Sequence, residues 1–79
     1  VNAVAPGTAD TPWVARLLAQ ADDPIQAKRS LEARQPIGRL VTADEVAFAI
    51  CYLADPRAAS TTGTILDVDG GMHRLAPPR

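Results

Sequence analysis

Two short runs of aliphatic and β-branched residues, Val1 to Ala5 and Thr64 to Asp69, stand at opposite ends of the sequence, and every helix signal lies between them. Runs this short, closed by Pro6-Gly7 and by Gly70-Gly71, suit buried strands better than helices. A tight hairpin cannot join strands so far apart, whereas a helical crossover can, and it sets them parallel with a right-handed connection. The order strand, helices, strand therefore predicts an α/β architecture. Parallel strands have two faces to cover, so two of them alone leave a sheet incomplete. With 79 residues the chain is at most one globular unit. It opens at Val1, without Met and inside the first apolar run, and is expected to be the C-terminal piece of a longer protein.

The crossover divides by its own start and stop signals. Thr11 can cap the free N–H groups of a first helix while Pro12 takes the first helical position, where its missing donor costs nothing. Trp13 with Leu17, and Val14 with Leu18, recur at i, i+4 and predict one apolar stripe as far as about Ala21. Asp23-Pro24 repeats the arrangement, with Ala27, Leu31 and Arg34 on one side of a second helix ending near Pro36-Ile37-Gly38. Thr42 and Glu45 form a capping box, Asp44 favours the helix dipole, and the helix is predicted over Ala43 to Ala54. At about 100° per residue, Val46, Ala47, Ile50, Leu53 and Ala54 share a face, with Phe48 and Tyr52 nearly opposite. A helix apolar on both sides is expected to be sandwiched. Asp55-Pro56 ends it, Ser60 to Gly63 reads as a loop, and Arg74 to Arg79 as a frayed tail.

Charge and cysteine content exclude several function classes. A net charge of −1 with scattered signs offers no footprint for nucleic acid or an anionic membrane. No apolar run approaches the roughly 20 residues of a membrane span, and no basic n-region with an apolar h-region stands at Val1, so these residues are not expected to target or anchor the chain. Cys51 is the only cysteine, so neither an internal disulfide nor a multi-thiolate zinc site can form, and a reducing compartment fits. Inside a helix, Cys51 is expected to be a small buried hydrophobe rather than a reactive thiol. Asp67 and Asp69 lie on one side of a strand without a third metal ligand, and turn chemistry at Asp69-Gly70 accounts for one of them. His73 reads as a solvated histidine.

One segment points to chemistry. Asn2 to Thr11 puts a strand end, a tight Pro-Gly turn and a capped helix start in series, and in open α/β sheets ligands bind beyond the carboxyl ends of strands. Taken alone, the segment also suits an ordinary strand-to-helix turn.

Six ordered motifs carry a resemblance: Asn2-x-Val4-x-Pro6-Gly7-x-x-x-Thr11, Pro36-x-Gly38-Arg39, Glu45-Val46-Ala47, Tyr52-Leu53-Ala54, Thr62-Gly63 and Val68-Asp69-Gly70-Gly71. In these, nearly the whole chain resembles the last third of the short-chain dehydrogenase/reductase family. The resemblance implies the C-terminal part of a Rossmann-like doubly wound parallel sheet that binds NAD or NADP. Its last two strands would lie within 1–11, which also carries the nicotinamide turn, and 64–71. The substrate lid would occupy 12–35, a long interface helix 42–55 and the flexible tail 74–79. It further implies that Pro6 and Gly7 lie under the nicotinamide, that the Ala9 backbone holds the carboxamide, and that Thr11 both caps its helix and bonds the carboxamide or the pyrophosphate.

The family's catalytic tyrosine and lysine stand at Y-x-x-x-K spacing behind a serine. Here the only tyrosine is Tyr52 and the only lysine Lys28, in the wrong order and spacing. No catalytic residue is therefore assigned, and the glycine-rich phosphate turn is missing too. The expected parent is a cytoplasmic NAD(P)-dependent oxidoreductase of small hydroxy or keto substrates, inactive as this fragment alone. Similarity to a sugar-acid and hydroxybutyrate dehydrogenase subgroup points to hydroxy acids, with Arg16 or Arg34 of the lid as carboxylate partners and snorkelling helix arginines as the alternative. A homo-oligomer through the 43–54 helix and the last strand is also implied. The rival expectation is an inert truncated chain that serves only as an interaction or dimerisation piece.

Overall fold

The computed structural model describes residues 1–75. In chain order these form β1 (Ala3–Pro6), β2 (Ala9–Asp10), α1 (Pro12–Ala19), α2 (Pro24–Ala33), β3 (Val41–Thr42), α3 (Ala43–Ala54), a 3-10 turn (Pro56–Ala58) and β4 (Ile65–Val68). β1 and β4 pair in parallel, in a register running from Ala3↔Ile65 to Pro6↔Val68, so the architecture is α/β with a helical crossover. Ala3 and Gly7 donate to the Thr64 and Val68 carbonyls at 2.9 and 3.0 Å, which turns alternate residues of β1 toward β4. Pro6 falls between them, where its missing donor faces the other edge, and no strand lies on that edge among the described residues.

Asn2 extends the pairing through its side chain. Its Nδ2 donates to the Thr61 carbonyl at 2.8 Å, and its Oδ1 accepts the Thr64 N–H at 3.0 Å. The loop it stitches down turns at Gly63, whose φ of 71° is open to glycine at little cost. A second parallel pair, β2 with β3 in the register Ala9↔Val41 and Asp10↔Thr42, was not expected from the sequence. Two residues per strand are too few to show a periodicity.

The caps form as predicted. Thr11 is extended, at φ −128° and ψ 160°, and its Oγ1 accepts the Val14 N–H at 3.3 Å. Asp23 does the same for Gln26 at 3.1 Å. Thr42 and Glu45 satisfy each other, with Glu45 N–H to Thr42 Oγ1 at 3.0 Å and Thr42 N–H to Glu45 Oε1 at 2.8 Å. α1 stops at Ala19, short of Ala21, and its stripe splits: Val14 is buried and Leu18 half-buried, but Trp13 is 61% exposed and Leu17 is also exposed.

α3 packs across β1 and β4 with a face rotated from the predicted one. Ala49 is buried, Val46 and Leu53 are half-buried, and Ala47, Ile50 and Ala54 are exposed. A small side chain at the middle of the 46/49/53 stripe lets the helix sit on two strands at once. Ile50 and Ala54 then overhang a groove along β1 with Val1 and Val4, and Phe48 overhangs another along β4 with Leu66 and Val68. Phe48 is 77% exposed and Tyr52 is exposed with it. Cys51, expected to be buried, is exposed instead, since it stands roughly 200° around the helix from Ala49.

Among the described residues, Val14, Leu40, Val41, Ala49 and Ala58 are the buried apolar residues, and Gln35 and Asp69 are buried with them. Arg74 and Leu75, assigned to the tail, belong to structure. Arg74 pairs with Asp67 at 3.1 Å, and the Leu75 N–H donates to the Gly71 carbonyl at 2.7 Å. Residues 76–79 of the expected tail lie outside the described residues. Among the described residues, no helix is long and apolar enough to cross a membrane.

Candidate functional site

Pro6 closes β1 at the surface, and Gly7 carries the chain into β2. Gly7 is required for space, because its φ is not in the left-handed region. A Cβ there would overlap the Gln35 carboxamide oxygen and lie 2.9 Å from the Asp69 Cα. The turn is therefore pressed against the end of β4 and against Gln35, two residues beyond α2.

β2 has one bonded edge and one open edge. The Val41 N–H donates to the Thr8 carbonyl at 3.1 Å, so in the Ala9↔Val41 register the residues flanking Ala9 carry the bonds to β3. The Ala9 N–H and C=O consequently share the opposite edge, where no strand pairs among the described residues. A donor and an acceptor on one edge complement a primary carboxamide, whose oxygen accepts and whose NH2 donates. Two residues on, the Thr11 oxygen accepts the Val14 N–H, and its hydroxyl proton remains available to donate outward.

The braces behind this edge were not legible in the sequence. Gln35, wholly buried, accepts the Thr8 N–H on Oε1 at 3.0 Å and donates from Nε2 to the Arg39 carbonyl. A glutamine closing an amphipathic helix reads as a solvated residue, so nothing marked it. Arg39 pairs with both oxygens of Glu45, at 2.9 and 3.1 Å. Arg39 stands ahead of β3 and Glu45 within α3, so no single element's periodicity relates them. The guanidinium, then the Thr42 N–H, pull the Glu45 carboxyl down to about 2 from 4.5.

The remaining candidates separate from the turn. The Asp69 carboxylate accepts the Gly71 and His73 N–H groups at 2.9 and 3.1 Å, which makes it the cap of the 70–74 turn, and Asp67 is the partner of Arg74. His73 is exposed. Among the described residues no three His, Cys, Asp or Glu side chains cluster to hold a metal. Arg16 lies exposed on α1 and Arg34 exposed at the end of α2. Tyr52 on α3 and Lys28 on α2 sit on different elements.

A helical crossover linking parallel strands, with an unpaired backbone edge beyond a strand's carboxyl end, is the arrangement of a Rossmann-type α/β fold. A family model described as enoyl-(acyl carrier protein) reductase matches residues 1–73, and the chain belongs to the short-chain dehydrogenase/reductase family. It is 54% identical over 71 residues to cis-4-hydroxycyclohexanecarboxylate dehydrogenase of Sinomonas cyclohexanicum, covering 90% of this chain and 26% of that protein. The crystal structure of Cj0485 dehydrogenase superposes with a TM-score of 0.93 at 32% identity, covering 96% of this chain and 30% of that one. An actinorhodin polyketide ketoreductase crystallised with NADPH superposes at 0.81 with 38% identity, covering 95% and 31%. The chain thus spans about a quarter to a third of the length of these relatives.

Proposed function

We propose that the chain supplies the nicotinamide turn, the substrate lid and an assembly face of an NAD(P)-dependent oxidoreductase that acts on small hydroxy or keto substrates, hydroxy acids included. The observation that carries this reading is the open edge of Ala9, with its N–H and C=O unclaimed by β3, followed by the Thr11 hydroxyl. A bound nicotinamide supplies or accepts the hydride. The chain's residues hold it: the Ala9 N–H donates to the carboxamide oxygen, the Ala9 carbonyl accepts from the carboxamide nitrogen, and the Thr11 hydroxyl donates to the carboxamide or the pyrophosphate. Main-chain recognition of this kind makes the Ala9 side chain secondary. Pro6 and Gly7 form the floor beneath the ring. Proton transfer falls to residues outside these 79, because Tyr52 and Lys28 stand on different elements at the wrong spacing.

α1 and α2 act as the lid, and the exposed guanidinium of Arg16 or Arg34 is the partner for a substrate carboxylate. The name of the Sinomonas relative, which joins a hydroxyl and a carboxylate in one small molecule, supports that choice. Assembly through α3 and β4 as a homo-oligomer is supported by Phe48 and Tyr52, which find no cover among the described residues. A cytoplasmic setting goes with the single cysteine.

The test is a fluorescence titration of the full-length protein with NADH and NADPH, followed by turnover assays on hydroxy acids and on matched uncharged alcohols. Binding of one dinucleotide and preference for the acids are expected. A second reading, an inert assembly piece, draws on the same exposed Phe48 and predicts a stable oligomer that binds neither dinucleotide.

A further inference from the structure

We infer that Gln35 is a positioning residue through which the end of the lid sets the nicotinamide turn; this rests on the nicotinamide reading above. Three segments meet on its side-chain amide. Gln35 follows Arg34, the cap of α2, and its own N–H donates to the Glu32 carbonyl at 3.2 Å, so it is the last residue bonded into the lid. Oε1 reaches the Thr8 N–H in the cofactor turn, and Nε2 reaches the Arg39 carbonyl ahead of α3. Burying an amide is unfavourable unless its polar atoms are bonded, so an apolar side chain would fill this space more cheaply if filling were its only role.

The geometry assigns a direction to the effect. The Ala9 N–H lies in the same rigid peptide plane as the Thr8 carbonyl. That plane is anchored on one side by Val41, whose N–H donates to the carbonyl at 3.1 Å. The preceding plane, which carries the Thr8 N–H, is anchored by Gln35 at 3.0 Å. Residue 8 is therefore held at both ends, and where Ala9 aims depends on both anchors. Gly7 makes the approach possible, since any Cβ there would displace Gln35. Loss of the amide frees the edge that meets the nicotinamide half of the cofactor and leaves the adenosine half untouched.

The experiment compares two ligands on the full-length enzyme: the whole reduced dinucleotide and ADP-ribose, or its 2′-phosphate, which lacks nicotinamide. Gln35→Leu is expected to weaken the dinucleotide by about tenfold, the scale of one to two hydrogen bonds, and to leave ADP-ribose binding unchanged. Gln35→Glu keeps the acceptor for Thr8 but loses the donor for Arg39 at neutral pH, and should fall between parent and Gln35→Leu. It carries the same comparison if Gln35→Leu melts below the assay temperature. Equal weakening of both ligands makes Gln35 a residue of the fold alone and overturns the inference, as does equal retention. A parent enzyme that binds neither ligand overturns the nicotinamide reading and this inference together. A parent that binds both beside an unaffected Gln35 variant removes only the inference.

Discussion

Arg39 grips both carboxylate oxygens of Glu45, Nη1 to Oε1 at 2.9 Å and Nη2 to Oε2 at 3.1 Å, while the same carboxylate caps α3 through the Thr42 N–H at 2.8 Å. One side chain thus completes the capping box and ties it to the turn that Gln35 braces. The pair is open to solvent, so its value is in geometry more than in stability.

The Glu45 carboxyl titrates at about 2, because the Arg39 guanidinium and then the Thr42 backbone donor favour its charged form. A depressed folded-state value gives a stabilising contribution that is complete above the ordinary value of 4.5 and is lost as pH falls toward 2. Arg39→Gln should move the titration midpoint of Glu45 upward, toward 4.5, while the backbone bond remains. Side-chain carboxyl NMR across the acid range measures it. An unmoved midpoint would assign the depression to the Thr42 N–H alone.

Gly7→Ala should destabilise the parent protein by about 1–3 kcal/mol through overpacking. The added methyl meets the Gln35 oxygen and the Asp69 backbone, and the latter cannot swing aside. Pairing it with Gln35→Ala removes one of the two obstacles, so the double variant should lose less than the sum of the singles. Thermal unfolding of the three variants tests this; strict additivity would mean that Gln35 does not occupy the space beside Gly7.

Thr11→Val removes the acceptor for Val14 and the outward hydroxyl together. The cap accounts for about 1 kcal/mol of stability, and a lost ligand bond adds about 1–2 kcal/mol to dinucleotide binding. Thr11→Ser restores both, whereas Thr11→Asp restores the cap but brings a charge to the hydroxyl's place. Calorimetric titration beside melting curves separates the two roles. If Thr11→Val melts lower but binds dinucleotide like the parent, Thr11 is a cap and nothing more.

Phe48→Asp should split an assembly that uses the α3 and β4 face, because association would bury an unpaired carboxylate at a cost of several kcal/mol. Phe48 is exposed here, with Leu66 and Val68 beside it along β4, so the subunit's own packing should not suffer. Light scattering with size-exclusion chromatography reads the mass, and circular dichroism reads the fold. An unchanged oligomer would remove α3 from the interface, and an unfolded subunit would place Phe48 in a core completed by other residues.

What the sequence determined by itself is what neighbouring residues settle among themselves. Thr11 with Pro12, Asp23 with Pro24, and Thr42 with Glu45 each satisfy backbone donors within one turn of chain, so those starts stand where the residue types put them. The parallel pairing of β1 and β4 was legible for a related reason: a crossover built of helices leaves two strand ends no other common arrangement. The position of Ala9 beyond the strand end followed from the same order of elements. The tertiary structure decided everything that depends on what lies across from a residue. It turned α3 about its axis, so that Ala49 rather than Ile50 meets the sheet, because seating one helix on two strands favours a small residue at the contact. It paired two-residue strands too short to show a period, and it joined Arg39 to Glu45 across the junction from loop through β3 into α3, which no single element's period describes. It also buried Gln35, which looks like a surface residue until Thr8 and Arg39 are brought to either end of its amide. Periodicity reports which side of an element is apolar, but only packing reports which polar atoms are taken from water, and there the partner has to be present before the residue makes sense.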